Sequence, residues 1–271
     1  GSGTRGKSTT YAYSHTLTNT IEYSFDLDED NHLTLLGGQE GVINDYDYYY
    51  ARSTSQVVDG LLNLQNGKKS TYTMSEDATT SKFLSFFGRV DYNLKDRYFV
   101  DFTLRNDASS RFGRNNRNAT FWAAGLLWKI KNEEFMKPYG WVNDFDVKVS
   151  YGTQGNASIG DYSSLRLMST STNYNENTAL AFSQPLNPSL TWEKQKLFTA
   201  GINGRLWNRF DFDISYYVRK TSNMLMDVPY PYTTGFSSVT SNVGELQNSG
   251  IDVRLGVDIV RTKDYFVNFS T

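Results

Sequence analysis

The chain has 271 residues, a nearly balanced charge of net −2 and no cysteine. Disulfide staples, thiolate metal ligands and cysteine nucleophiles are thereby excluded, and there is no electrostatic case for nucleic acid. No apolar run of about 18 residues occurs, so no transmembrane helix is expected. The mean hydropathy of −0.53 is what alternating strands give, because their polar half cancels their apolar half.

The chain opens on GSGTRGKS, a full match to the phosphate-loop pattern. That loop binds phosphate only where it feeds a helix N-terminus, and TTYAYSHTLTNT after it alternates like a strand, so no nucleotide and no other cofactor is expected. Residues 14–25 form the first predicted strand, with Leu17, Ile21 and Tyr23 on one side, and residues 32–39 return after a turn at Asp28–Asn31. The DLDEDN of that turn resembles the start of a calcium loop. Its sixth position is Asn31 rather than Gly and its twelfth is Gly37 rather than Glu, which favours a solvated hairpin turn and no metal site. A long polar, Tyr-rich segment over 41–81 reads as loop.

The most regular hairpin follows. Phe86, Gly88, Val90 and Tyr92 share one face against Phe87, Arg89, Asp91 and Asn93. After Leu94-Lys95-Asp96-Arg97, Tyr98, Val100, Phe102 and Leu104 share a face against Phe99, Asp101, Thr103 and Arg105. A strict period of two puts apolar and charged side chains on opposite sides of a sheet. Further strands are expected over 120–131, 145–151, 190–204, 210–221, 251–257 and 265–270, with loops over 107–119, 156–189 and 222–247 and a helical turn at 133–137. All five prolines fall in the connections, where a residue without a ladder donor belongs.

Connections alternate between short turns and long loops, and Tyr23, Phe25, Tyr92, Tyr98, Trp128, Trp207, Phe210 and Tyr265 gather beside the short ones. Short turns at one end, long loops at the other and an interfacial ring of aromatics describe an antiparallel transmembrane β-barrel. A soluble β-sandwich also alternates, but has little reason to collect its long loops at one end. Two aromatic groups in the long loops are the candidate substrate-binding residues: Tyr46, Tyr48, Tyr49 and Tyr50, and Tyr230, Tyr232 and Phe236. Their rings suit stacking on sugars or peptides, and equally suit packing the loops together. No catalytic residues are assigned. A hydrolase would need a histidine among carboxylates at the barrel mouth, and His15 and His32, the two histidines, both lie in the first hairpin.

Several stretches carry a family resemblance: KDRYFV, RNDASSRFG, SYGTQGN, SLTWEKQ, TTGF and NVGELQNSGI, in order from residue 83 onward. They resemble the SusC/RagA type of TonB-dependent outer-membrane transporter. The resemblance implies a 22-stranded barrel with an N-terminal plug, in the bacterial outer membrane and in contact with its lipid. It also implies energy from the TonB complex through that plug, a SusD-like surface lipoprotein as partner, and oligosaccharide or peptide cargo. Against the complete family pattern, residues 1–271 are expected to be an internal part of the barrel domain of about ten strands. Signal peptide, plug, TonB box and terminal strands are not read in it.

Overall fold

The computed structural model describes residues 3–56, 60, 63–174, 177–261 and 265–271. Gly1 and Ser2 of the phosphate-loop match lie outside the described residues. The rest of that match enters a strand. Ten strands form one antiparallel sheet: β1 (Thr4–Asp28), β2 (Asn31–Thr54), β3 (Thr73–Leu94), β4 (Tyr98–Ser109), β5 (Asn118–Lys129), β6 (Val142–Asn156), β9 (Glu193–Leu206), β10 (Phe210–Ser222), β13 (Glu245–Arg261) and β14 (Phe266–Ser270). Each pairs with its neighbour in the meander, and among the described residues no pairing joins β1 to β14, so the sheet is an open arc. β7 (Leu167–Tyr174) with β8 (Asn177–Gln184), and β11 (Leu225–Pro229) with β12 (Ser238–Asn242), are hairpins set into two of the long connections.

Turn chemistry fixes the short end. Lys95 and Asp96 have φ of 57° and 50°, and Trp207 and Asn208 have 51° and 55°. Two successive left-handed residues match the twist of the flanking strands, which is why two-residue hairpins take this form. At the β1–β2 turn the Asp28 carboxylate accepts from Asn31 Nδ2 and from the Asp30 backbone N–H, so the DLDEDN stretch folds as a turn closed on itself.

Register then carries the alternation across the sheet. Leu35, Val90, Phe102, Ala124, Tyr151, Phe198 and Val218 lie opposite one another in one continuous row over seven strands. A second row joins Tyr98, Trp128, Val147, Ile202, Ile214 and Val253. One residue along, the rows are polar: Asp91, Asp101, Gly125 and Ser150, or Asp146, Asn203, Asp213 and Arg254. A slip of one residue in any ladder would mix the two faces, so the pattern and the pairing enforce each other.

Two expectations need correction. The segment 41–81 is largely strand: β2 runs on to Thr54 and β3 resumes at Thr73, with two short 3-10 turns between them. Its polar residues misled because both faces of a strand that leaves the apolar band are polar. The ladder continues there, with Ser14 Oγ donating to Asn44 at 2.7 Å and Thr80 Oγ1 to Asp45 at 2.7 Å. β1, β2 and β3, at 25, 24 and 22 residues, are therefore far longer than the rest. Above Leu17 and Ile43 they project as a three-stranded blade of roughly ten residues, about 33 Å along the strands. The 156–189 and 222–247 loops contain the β7–β8 and β11–β12 hairpins, which were too short and too polar to show a clear period. The helical turn expected at 133–137 is present as a 3-10 turn over Glu134–Met136, preceded by another at Ile130–Asn132.

A sheet with polar and apolar faces has no interior of its own, and the buried core sits instead where the long connections meet. Phe112, Ala119, Phe121, Ala157, Leu190 and Trp192 form it. The Trp192 ring lies 4.9 Å from Phe112, 5.8 Å from Phe121 and 6.3 Å from Phe83, and its Nε1 donates to the Arg117 carbonyl at 2.9 Å. Arg111 Nε donates to Asp161 at 2.8 Å, and Asn242 exchanges hydrogen bonds with the Thr191 backbone. Glycine is required at two close approaches. A Cβ on Gly113 would stand 2.5 Å from the Pro188 carbonyl oxygen, and one on Gly155 would stand 2.1 Å from the Phe121 ring.

Truncating a buried tryptophan in such a cluster costs about 3–5 kcal/mol. In the full-length protein, Trp192→Ala is expected to open residues 109–117 and 185–192 to limited proteolysis while the strands stay protected. Trp192→Phe should keep most of the resistance. Equal resistance of the alanine variant and the unaltered protein would contradict this role.

Candidate functional site

The polar face is built as a wall of ion pairs. Lys148 Nζ reaches both Asp213 oxygens at 2.8 and 3.0 Å, joining β6 to β10 across β9. Arg205 Nη2 meets Asp258 at 2.5 Å and its Nη1 faces Asp211 at 3.6 Å. Arg105 bonds Asp107 at 2.6 Å and Ser85 at 2.9 Å, and its guanidinium lies 5.5 Å over the Phe87 ring. A depression of about 670 Å³ in this wall is lined by His32, Arg89, Asp91, Asp101, Lys148 and Ser150 among others. Such a surface is wetted, charged and balanced in sign, and it suits a passage for polar solutes better than a site for one tight ligand.

Higher on the blade the same face carries the first aromatic group. Tyr46, Tyr48 and Tyr50 alternate on central strand β2, and Tyr49 points to the opposite face, so the four do not act as one cluster. Tyr48 and Tyr50 have parallel rings 6.5 Å apart at 7°. Their partners across the ladder are small: Ala12, Thr10 and Ser8 on β1, and Thr79, Asp77 and Ser75 on β3. Three rings in line between two rows of small side chains make an open shelf, and tyrosine supplies both a stacking face and a hydroxyl tip. A β-former in every second position is also why this stretch holds as strand rather than loop.

Tyr230, Tyr232 and Phe236 lie in the β11–β12 connection, around a 3-10 turn closed by Gly235 at φ 82°. Tyr232 is 95% exposed, while Phe236 is half-buried. No hydrogen bond or ring contact joins this group to the β2 tyrosines among the described residues. The two histidines are also apart: His15 lies opposite Ile43, and His32 pairs with Asp26 beside the first short turn. Sequence reasoning passed over the Phe112–Trp192 cluster as a unit. The signal was present, since RNDASSRFG, SYGTQGNASIGDY and SLTWEKQ supply Arg111, Phe112, Gly113, Gly155, Ala157, Asp161, Leu190 and Trp192.

Residues 1–270 match the family described as TonB dependent receptor-like, beta-barrel. TonB-dependent receptor SusC of Bacteroides thetaiotaomicron is 30% identical over 272 residues, covering 97% of this chain and 27% of SusC. TonB-dependent receptor P26 of Formosa agariphila is 32% identical over 253 residues, covering 91% of this chain and 26% of that protein. The solved structure of the RagAB peptide transporter superposes with a TM-score of 0.91 at 37% identity, over 98% of this chain and 30% of that one. The chain thus spans between a quarter and a third of the length of these relatives, as an arc of their larger barrel. With its two-faced sheet, short tight turns and matching register of motifs, the chain belongs to the TonB-dependent receptor β-barrel family, and within it to the SusC/RagA type.

Proposed function

We propose that the full-length protein is an outer-membrane importer that takes up oligosaccharides or peptides with energy from the TonB complex, working with a SusD-like surface lipoprotein. One observation carries this reading: the sheet separates an apolar face, with rows in register across as many as seven strands, from a charged wall on the other side. Along β10, Phe210 to Val218 extends for about 26 Å at ~3.3 Å per residue, or about 20 Å across the membrane at a tilt near 40°. That height fits the hydrocarbon layer of a barrel. The apolar face meets lipid, and the charged wall lines the solute path. The long connections and the blade stand on the cell-surface side, where cargo arrives. Residues 1–271 supply part of the barrel wall, and the segments that would form a plug and contact TonB belong elsewhere in the full-length protein. The similarity to the RagAB peptide transporter supports a polymeric, polar cargo.

In this reading the Tyr46, Tyr48 and Tyr50 shelf is a first contact for cargo, with Tyr230, Tyr232 and Phe236 as a second, separate aromatic surface. Rings stacked on sugars or side chains contribute about 1 kcal/mol each. Replacing Tyr46, Tyr48 and Tyr50 together by Ala is expected to reduce cargo uptake on the order of tenfold or more. Surface level and co-purifying lipoprotein should stay unchanged, and Tyr49→Ala, on the opposite face, should leave uptake intact. Normal uptake by the triple variant would mean that the rings only stiffen the blade. Loss of the lipoprotein together with uptake would assign the shelf to partner binding instead.

The membrane assignment has its own check. An arginine at the bilayer midplane of a barrel's lipid face costs about 2–4 kcal/mol. Phe212→Arg, on the apolar face, should therefore impair formation of the heat-modifiable barrel in the full-length protein. Ser215→Arg, on the polar face opposite Asp252, should assemble normally. Equal tolerance at both positions would refute the lipid assignment.

A further inference from the structure

Among the described residues, the short-turn end of the sheet has one connection that is not short. Residues 130–141, between β5 and β6, make two successive 3-10 turns where the β3–β4 and β9–β10 hairpins close through two left-handed residues each. Both ends of this segment are fastened to the apolar face. At its beginning Glu133 is buried, and its carboxylate accepts hydrogen bonds from Tyr98 Oη at 2.6 Å, Trp128 Nε1 at 3.1 Å and Arg97 Nη1 at 3.1 Å. Tyr98 and Trp128 are cross-strand partners on the apolar face, with stacked rings 6.2 Å apart. The two hydrogen bonds from these rings, with Arg97 beside them, hold Glu133 below the usual carboxylate range. At its end Trp141 stacks on Trp207 at 5.0 Å and 21°, and Trp207 stands edge-on to Phe210, itself on the apolar face, at 6.0 Å. The Trp207 N–H also donates to the Trp141 carbonyl at 2.7 Å.

Beside the charged Glu134 and Lys137, this segment exposes large aromatic rings. Phe135 is 58% exposed, Tyr139 49%, Trp141 45% and Trp207 56%, while Ile130 and the carboxylate-bearing Glu133 are buried. Lysines flank the aromatics: Lys131 Nζ donates to the Tyr139 carbonyl at 3.0 Å, and Lys137 pairs with Glu134. Large aromatics with polar tips, continuous with a lipid-facing band and accompanied by cations, are the composition favoured at the headgroup layer. The segment is held outside the strand ends and against the lipid-facing side, which is where that layer lies.

We propose that residues 130–141, together with Trp207, form an interfacial anchor that inserts Phe135, Tyr139 and Trp141 into the phospholipid headgroup layer of the leaflet at the short-turn end, with Lys131 and Lys137 beside the lipid phosphates. The anchor rests on the membrane reading above, and its test separates the two. Single cysteines at Phe135, Tyr139, Asp96 and Phe102 of the full-length transporter carry nitroxide labels. The protein is reconstituted in vesicles of phosphatidylethanolamine and phosphatidylglycerol, and collision with oxygen is compared with collision with a water-soluble nickel chelate. Labels at 135 and 139 should favour oxygen several-fold more than the label in the tight turn at 96 and less than the label at 102. Glu133→Ala should release the segment, bringing 135 and 139 to the behaviour of 96 without altering 102. Labels at 135 and 139 that match 96 in the unaltered background would overturn the anchor, as would labels shielded from both reagents, which would point to a protein neighbour. A water-exposed label at 102 would overturn the membrane reading and the anchor with it.

Discussion

Everything in this chain depends on a side chain's inability to share a face with its neighbour along a strand. A period of two, held in register across a ten-stranded sheet, turns an unremarkable average hydropathy into two surfaces of opposite character. Backbone pairing is what holds the phase: the inner strands are bonded to a neighbour on either side, so a single slipped ladder would bring charges such as Asp213 and Lys148 onto the apolar side. In hydrocarbon no water could satisfy a broken pair, which makes the ladder a requirement rather than a preference. The tight turns at Lys95–Asp96 and Trp207–Asn208 set that phase at the hairpins they close.

Beyond the apolar band the same ladder does different work. β1, β2 and β3 keep pairing where both faces are polar, and side-chain bonds such as Ser14 to Asn44 and Thr80 to Asp45 replace burial as the stabilising contact. The blade so formed lifts the Tyr46, Tyr48 and Tyr50 rings away from the sheet's centre. Next to it, the Phe112–Trp192 cluster ties the bases of several long connections into a small apolar core. The long-loop end therefore combines a rigid base with exposed aromatic surfaces, the arrangement a scaffold needs if its loops are to recognise a ligand. At the other end, the ion-paired and aromatic contacts of Glu133 and Trp141 tie the one extended connection to the apolar side.

The apolar stretches of the strands are legible, because alternation is a local property of sequence: 210–221 reads as a strand, and β10 is Phe210–Ser222. Their full lengths are not, since β13, expected over 251–257, runs from Glu245 to Arg261, and β1, expected over 14–25, runs from Thr4 to Asp28. The blade was not legible, since Tyr46 to Tyr50 alternates with Asp45 and Asp47 rather than with apolar residues, and polarity on both faces looks like loop. The β7–β8 and β11–β12 hairpins escaped for a related reason, being short and rich in Ser, Thr and Asn. Of the candidate site, the tyrosines were singled out but their division between two faces depends on a register that 41–81 did not reveal. The Phe112–Trp192 cluster joins residues 80 positions apart, a relation that no local pattern encodes, although each contributing motif was visible by itself.

The central claim is the phase of the two faces, and the most direct measurement is a cysteine scan of residues 211–218 in β10. Each position would be tested in a cysteine-free background of the full-length transporter, in its native membrane, with a water-soluble maleimide. The account predicts reaction at 211, 213, 215 and 217, on the charged wall, and protection at 212, 214, 216 and 218, on the apolar face. Uniform reactivity along the strand, or alternation of the opposite phase, would contradict it.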